Sequence, residues 1–77
     1  MDIHKLVHMA NRIGDFHASN PERAQAMSDV ATHIQKFWAP RMRRELLSQL
    51  DAPGTRDLSP LVRESLMQAR EALMPQA

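Results

Sequence analysis

The chain of 77 residues has no cysteine, no tyrosine, two glycines, two phenylalanines and one tryptophan. Each shortage excludes something. Without cysteine there is no disulfide, no thiolate ligand for zinc or an iron–sulfur cluster, and no thiol nucleophile. The absence also fits a reducing cytoplasm. With only Gly14 and Gly54, no glycine-rich loop can cradle a phosphate. No apolar run approaches the roughly 18 residues that suggest a membrane span. A charge excess is missing too. The 10 basic and 9 acidic residues leave +1, short of the basic balance expected of a nucleic-acid-binding domain. The start, MDIHKLVHMANR, carries an acid at Asp2 and no long apolar block. It is unlike a secretory signal or an arginine-rich transit peptide. The expectation is a soluble, cytoplasmic protein with no membrane or nucleic-acid partner. Residues 1–77 make one domain whose core alone gives marginal stability. With no disulfide to staple it, a partner is the obvious reinforcement.

What is present reads as helix and short connection. Ile3, Leu6, Val7, Ala10 and Ile13 recur at helical spacing behind a capping Asp2. They predict a helix over residues 3–17, with Gly14 as its weak point. Ser19 or Asn20 is the expected cap of a second helix. Pro21 would sit in its first turn, and Glu22 would complete a capping box with Ser19. That helix carries Met27, Val30, Ala31, Ile34, Phe37 and Trp38 on one stripe. It ends near Trp38, because Pro40 keeps Ala39 out of the helical region. Pro40 opens a short helix with Met42, Leu46, Leu47 and Leu50 on its apolar side. Arg41 and Glu45, four apart, can pair across one turn.

DAPGTRD, residues 51–57, reads as a loop. Ser59 and Pro60 open a last helix with Leu61, Val62, Leu66, Ala69 and Leu73 as its stripe. Residues 75–77 are expected to fray. The fold class is therefore all-α: three to four short helices in a small compact bundle. Leu6, Ile34 and Phe37 are its expected core anchors, and the six methionines read as fillers of irregular gaps ahead of the alternative, a Met-rich docking face.

Catalytic chemistry finds little support. His4 and His8 share a helix face at a spacing that suits two zinc ligands. The catalytic zinc pattern, however, needs a glutamate where Lys5 stands. A site also needs three or four convergent ligands, and His17 is turned well off that face. The serines read as caps or exposed positions, and none lies in a nucleophile elbow. A chain this short has little room for a deep, dry pocket. No catalytic, cofactor-binding or metal residue is assigned, and the chain by itself is not expected to be an enzyme.

The informative stretch is KFWAPRMRREL, residues 36–46. It places Phe37 and Trp38 beside Pro40, Arg41, Met42, Arg43 and Arg44. Aromatics next to arginines can stack bases and hold phosphates, so a small nucleic-acid-binding regulator is a rival reading. A solvated arginine face beside two core rings is the bland one. Trp and Arg also lead among interface hot spots. A tryptophan and arginines around a proline-fixed corner form a compact docking element. Trp38, Pro40, Arg41, Met42, Arg43 and Arg44 are its candidate residues.

The same stretch carries a resemblance. KLVHMANRIGDFH (5–17), VATHIQKFWAPRMRREL (30–46) and LSPLVRESL (58–66) resemble the delta subunit of soluble, NAD-dependent, molybdenum-containing formate dehydrogenases. The most specific part is H-I-x-x-F-W-x-P-R-M-R, met by His33, Ile34, Phe37, Trp38, Pro40, Arg41, Met42 and Arg43. Two positions depart from the pattern. Ala39 stands where an acid is common, and His17 where a second aromatic is. The resemblance implies a non-catalytic accessory subunit that binds, stabilises or helps assemble a complex oxidising formate to carbon dioxide with NAD⁺. The implied partner is a large catalytic alpha subunit, in a complex that also contains beta and gamma subunits. Those partners are implied to carry bis-molybdopterin guanine dinucleotide with molybdenum or tungsten, iron–sulfur clusters, FMN and the NAD site. This chain is expected to bind none of these. A transient maturation chaperone for the molybdenum-cofactor subunit is the alternative with the same kind of interface.

Overall fold

Four helices of seven residues or more and one single-turn helix account for nearly all regular structure in the computed structural model, which describes residues 2–76. They are α1 (Ile3–His17), α2 (Arg23–Phe37), α3 (Pro40–Ser48), α4 (Pro60–Gln68) and α5 (Arg70–Leu73). A 3-10 turn over Pro53–Thr55 sits between α3 and α4. The described residues include no strand, so the fold is all-α. No helix among them is long and apolar enough to cross a membrane. Residue 77, the end of the expected frayed tail, lies outside the described residues.

Local chemistry accounts for most boundaries. The Asp2 carboxylate accepts from the His4 N–H at 2.9 Å, which satisfies one of the unpaired donors at the start of α1. Ser59 caps α4 through the Val62 N–H, and Pro60 follows in the first turn. The start of α2 differs from expectation. Its N-cap is Glu22, without a side-chain bond, and Ser19 takes no part. Asn20 Oδ1 instead accepts from the Glu22 N–H at 2.9 Å, so Pro21 lies in a turn before the helix rather than inside it. The last helix also departs from a single rod. Ala69 adopts φ −98°, ψ 14° and separates α4 from α5. The break redirects the chain so that Leu73 is buried against the bundle, with α5 touching α2, α3 and α4.

The core is one cluster that joins all four longer helices. Leu6, Val7 and Ala10 come from α1, Val30 and Ile34 from α2, Leu46 and Leu47 from α3, and Val62 and Leu66 from α4. Leu6 and Ile34 are the anchors expected from the sequence. Gly14 is not a weak point but a crossing point. A Cβ there would lie 2.4 Å from Val62 Cγ2, so α1 and α4 approach in direct contact only because the side chain is absent.

The loop between α3 and α4 is held by side chains reaching in from elsewhere. Asn11 Nδ2 donates to the Asp57 carbonyl, and the Ser59 N–H donates to Asn11 Oδ1, both at 2.9 Å. Arg63 donates to the carbonyls of Leu50 and Thr55. The fully buried Thr55 hydroxyl lies 2.8 Å from the Gln49 carbonyl.

Candidate partner-docking corner

Proline builds the corner between α2 and α3. Ala39, held extended at φ −63° and ψ 149°, precedes Pro40 at the first position of α3. The helical path of α2 is therefore lost at Trp38, which is itself extended at φ −91°, ψ 137°. The Trp38 N–H still donates to the Ile34 carbonyl at 3.0 Å, and the N–H groups of Met42 and Arg43 take up the Ala39 carbonyl. Ala39 and Arg41, whose N–H groups have no such acceptor, are exposed at the surface of the bend.

The two adjacent rings take opposite roles, and the exchange corrects the sequence reading. Phe37, the expected core anchor, is 73 % exposed, whereas Trp38, assigned to docking, is 6 % exposed and belongs to the core cluster. The physical reason lies in the rows of α2. Ala26, Val30 and Ile34 are buried at every fourth position, and Trp38 continues that row. Phe37 continues the row of Asp29 and His33, which faces outward. Its ring packs on the His33 imidazole, with centroids 4.8 Å apart at 43°.

The basic residues divide in the same way. Arg43, expected at the docking face, is half-buried, and its Nη1 donates to the Gln35 carbonyl at 3.0 Å. It thereby satisfies one of the free carbonyls at the end of α2 and ties α3 back to it. Its Nε is buried and makes no hydrogen bond. Arg41 and Arg44 stay exposed, as do Lys36 and Pro40, while Met42 packs half-buried against the core. The expected Arg41–Glu45 pair does not form. Glu45 accepts instead from Gln49 Nε2. Among the described residues Arg23–Glu64 is an ion pair and His17 Nδ1 lies 3.8 Å from Asp29 Oδ2, so neither contact engages this corner. Arg41 and Arg44, with Glu45 and Ser48, line a shallow depression of about 350 Å³.

Other regions offer less chemistry. A groove of about 270 Å³ runs between α2 and the α4–α5 segment, walled mainly by small residues such as Ala24, Ser28, Ala31 and Ala72. No ionisable side chain lines it. His4 and His8 are exposed on α1, and no group of three or more His, Cys, Asp or Glu side chains among the described residues could hold a metal ion. With no cysteine in the sequence either, the residues present do not fit a cysteine-ligated iron–sulfur cluster.

Two contributors were given no role in the sequence reading. His33, named there only as part of the motif, supports the exposed ring from one turn before Phe37. Asn11 clamps the α3–α4 loop through contacts remote in sequence, for which periodicity gives no signal.

A family model described as the NADH-dependent formate dehydrogenase delta subunit, FdsD, matches residues 5–66. The matched span includes the docking corner, the Asn11 clamp and the Gly14 crossing. No curated protein and no solved structure matches the chain.

Proposed function

The chain belongs to the NADH-dependent formate dehydrogenase delta subunit family, and on that premise we propose that it is a non-catalytic accessory subunit of that complex. In this reading it binds and stabilises the assembly that oxidises formate to carbon dioxide and reduces NAD⁺. The partner is the large catalytic alpha subunit, within a complex that also holds beta and gamma subunits. The metal–pterin centre, iron–sulfur clusters, FMN and NAD site belong to those partners. The family match along residues 5–66 is the observation that carries the proposal.

Physical support comes from the α2–α3 corner. An exposed phenylalanine next to two exposed arginines without ion pairs has the composition of an interface hot spot. The chain's own residues supply binding surface, not a reaction step. Trp38 and Arg43 hold the corner in shape, while Phe37, Pro40, Arg41 and Arg44 face outward.

An affinity pull-down of the chain from formate-grown native cells, with partner ratios measured by mass spectrometry, tests the proposal. A stoichiometric set of metal- and flavin-containing subunits is the expected result. A substoichiometric large subunit lacking its cofactor would replace the reading with transient maturation. Nucleic acid alone would overturn it.

A further inference from the structure

The corner also specifies the chemistry of what it meets. We infer that the partner presents an acidic protein surface with an apolar recess, and that Phe37, not Trp38, is the ring that enters it. This rests on the accessory-subunit reading and deepens it. Phe37 is exposed and backed by His33 at 4.8 Å, so the ring is presented on a support rather than left to swing freely. A single large ring on a rigid helix end loses little side-chain entropy when it is captured. Chain connectivity holds Phe37 and Arg41 within about 14 Å even at full extension, close enough for a single interface to span both.

Charge names the other half of the recognition. Residues 36–46 carry four cations, Lys36, Arg41, Arg43 and Arg44, against the single carboxylate of Glu45, a local +3. Arg43 is engaged internally, but Arg41 and Arg44 are exposed beside the same depression and take part in no ion pair of the described residues. Their planar, forked donors match carboxylates in bidentate geometry.

The occupant is a protein surface rather than a polyanion. The chain as a whole is +1 and this stretch is +3, so the remaining residues sum to −2. Nucleic-acid binding draws on a basic excess, which the rest of the chain, with six basic and eight acidic residues, does not supply. A second copy is disfavoured as well, because an isologous pairing of this corner would set +3 against +3.

The test measures retention of the tagged full chain by its complex in native cells across a salt series. The variants are Phe37→Ala, Arg41→Glu/Arg44→Glu and a control reversal of equal charge change outside the corner, Arg12→Glu/Arg56→Glu. Phe37→Ala is expected to weaken retention on the order of 30-fold, as hot-spot truncations do. The corner reversal should weaken it at least about tenfold and flatten its salt dependence, because exposed charge pairs are the screened component. The control reversal should bind like the parent. Circular dichroism should show unchanged helix in every variant; if the corner reversal loses helix, Arg41→Gln/Arg44→Gln carries the same test. Retention of both corner variants at parental strength would overturn this inference and leave the accessory-subunit reading standing. Failure of the parent chain to retain any formate dehydrogenase subunit would remove that reading itself. A purified chain that shifts nucleic acid at physiological salt, or dimerises through Phe37, would show that the corner has a different occupant and overturn the inference.

Discussion

The α3–α4 loop and the α2–α3 corner are both short connections, yet they treat their polar groups in opposite ways. At the loop, backbone groups are bonded by side chains, most of them reaching in from neighbouring helices, although the loop's own Asp51, Arg56 and Asp57 stay exposed. Asn11 donates and accepts across it, Arg63 covers two of its carbonyls, and the Thr55 hydroxyl is fully buried against backbone acceptors. Arg70 extends the pattern by donating to the Leu47 carbonyl at 3.3 Å. At the corner only Arg43 is used in this way. Arg41, Arg44 and the Phe37 ring face solvent, and the buried Arg43 Nε makes no hydrogen bond. A buried polar group is stabilising when satisfied and costly when not. The bonds at the loop therefore serve the fold, whereas at the corner the side chains of Phe37, Arg41 and Arg44 contribute no hydrogen bond to it among the described residues.

The strongest way to break this comparison is to remove the ring that supports the corner from beneath. Trp38→Ala empties a core site that is 6 % exposed. Truncation of a buried tryptophan costs about 3–5 kcal/mol, comparable to the whole stability of a domain this small. Thermal and urea unfolding followed by circular dichroism should show loss of cooperative folding. A Trp38→Ala chain that unfolded like the parent would mean that the ring is not a core residue.

A smaller effect is expected where α1 crosses α4. Gly14→Ala places a methyl group 2.4 Å from Val62 Cγ2, so one of the two must move. Overpacking of this kind costs about 1–3 kcal/mol. Val62→Ala in the same chain should return part of the loss, and a double-mutant cycle measures that coupling directly. Equal costs for Gly14→Ala in the parent and in the Val62→Ala background would rule out the contact as the cause.

The Asn11 clamp sharpens the loop side. Asn11→Ala strands the Ser59 N–H and the Asp57 carbonyl, for an expected loss of about 1–2 kcal/mol in urea unfolding. Asn11→Asp keeps the acceptor for Ser59 and loses the donor to Asp57, so it should recover part of that loss. If Asn11→Asp and Asn11→Ala unfold alike, the accepting half of the clamp contributes nothing.

Much of this organisation was legible in the sequence, and the failures have identifiable causes. The proline after Ala39 fixed the end of α2 and the start of α3, because its ring restricts the residue before it whatever the tertiary context. Asp2 and Ser59 were readable as caps because each bonds a backbone donor within three residues. The second helix start was misread because Ser19 and Asn20 both suit a cap, whereas Asn20 accepts from the Glu22 N–H in a turn and the helix begins after Glu22, which makes no side-chain cap bond. The Phe37 and Trp38 assignment failed for a more instructive reason. A helical stripe allows either neighbour to face the core, since adjacent residues differ by about 100°. Following the buried row in steps of four from Ala26 would have selected Trp38. Arg43 was beyond reach: nothing local says that its guanidinium turns back to the Gln35 carbonyl.

The smallest expected stability effect tests the comparison most sharply. Phe37→Ala removes a ring that is 73 % exposed, so little burial is lost. The contact with the His33 imidazole disappears, but alanine is the better helix former at the last residue of α2. These terms oppose one another, and the unfolding midpoint should correspond to a change within about 0.5 kcal/mol of the parent. The neighbouring Trp38→Ala, one position along the chain, is expected to cost several times more. Near-equal stability losses would mean that both rings serve the fold and that the corner holds no aromatic in reserve. A wide gap, with the exposed ring dispensable for folding, would mean that its place on the surface needs an explanation outside the isolated chain.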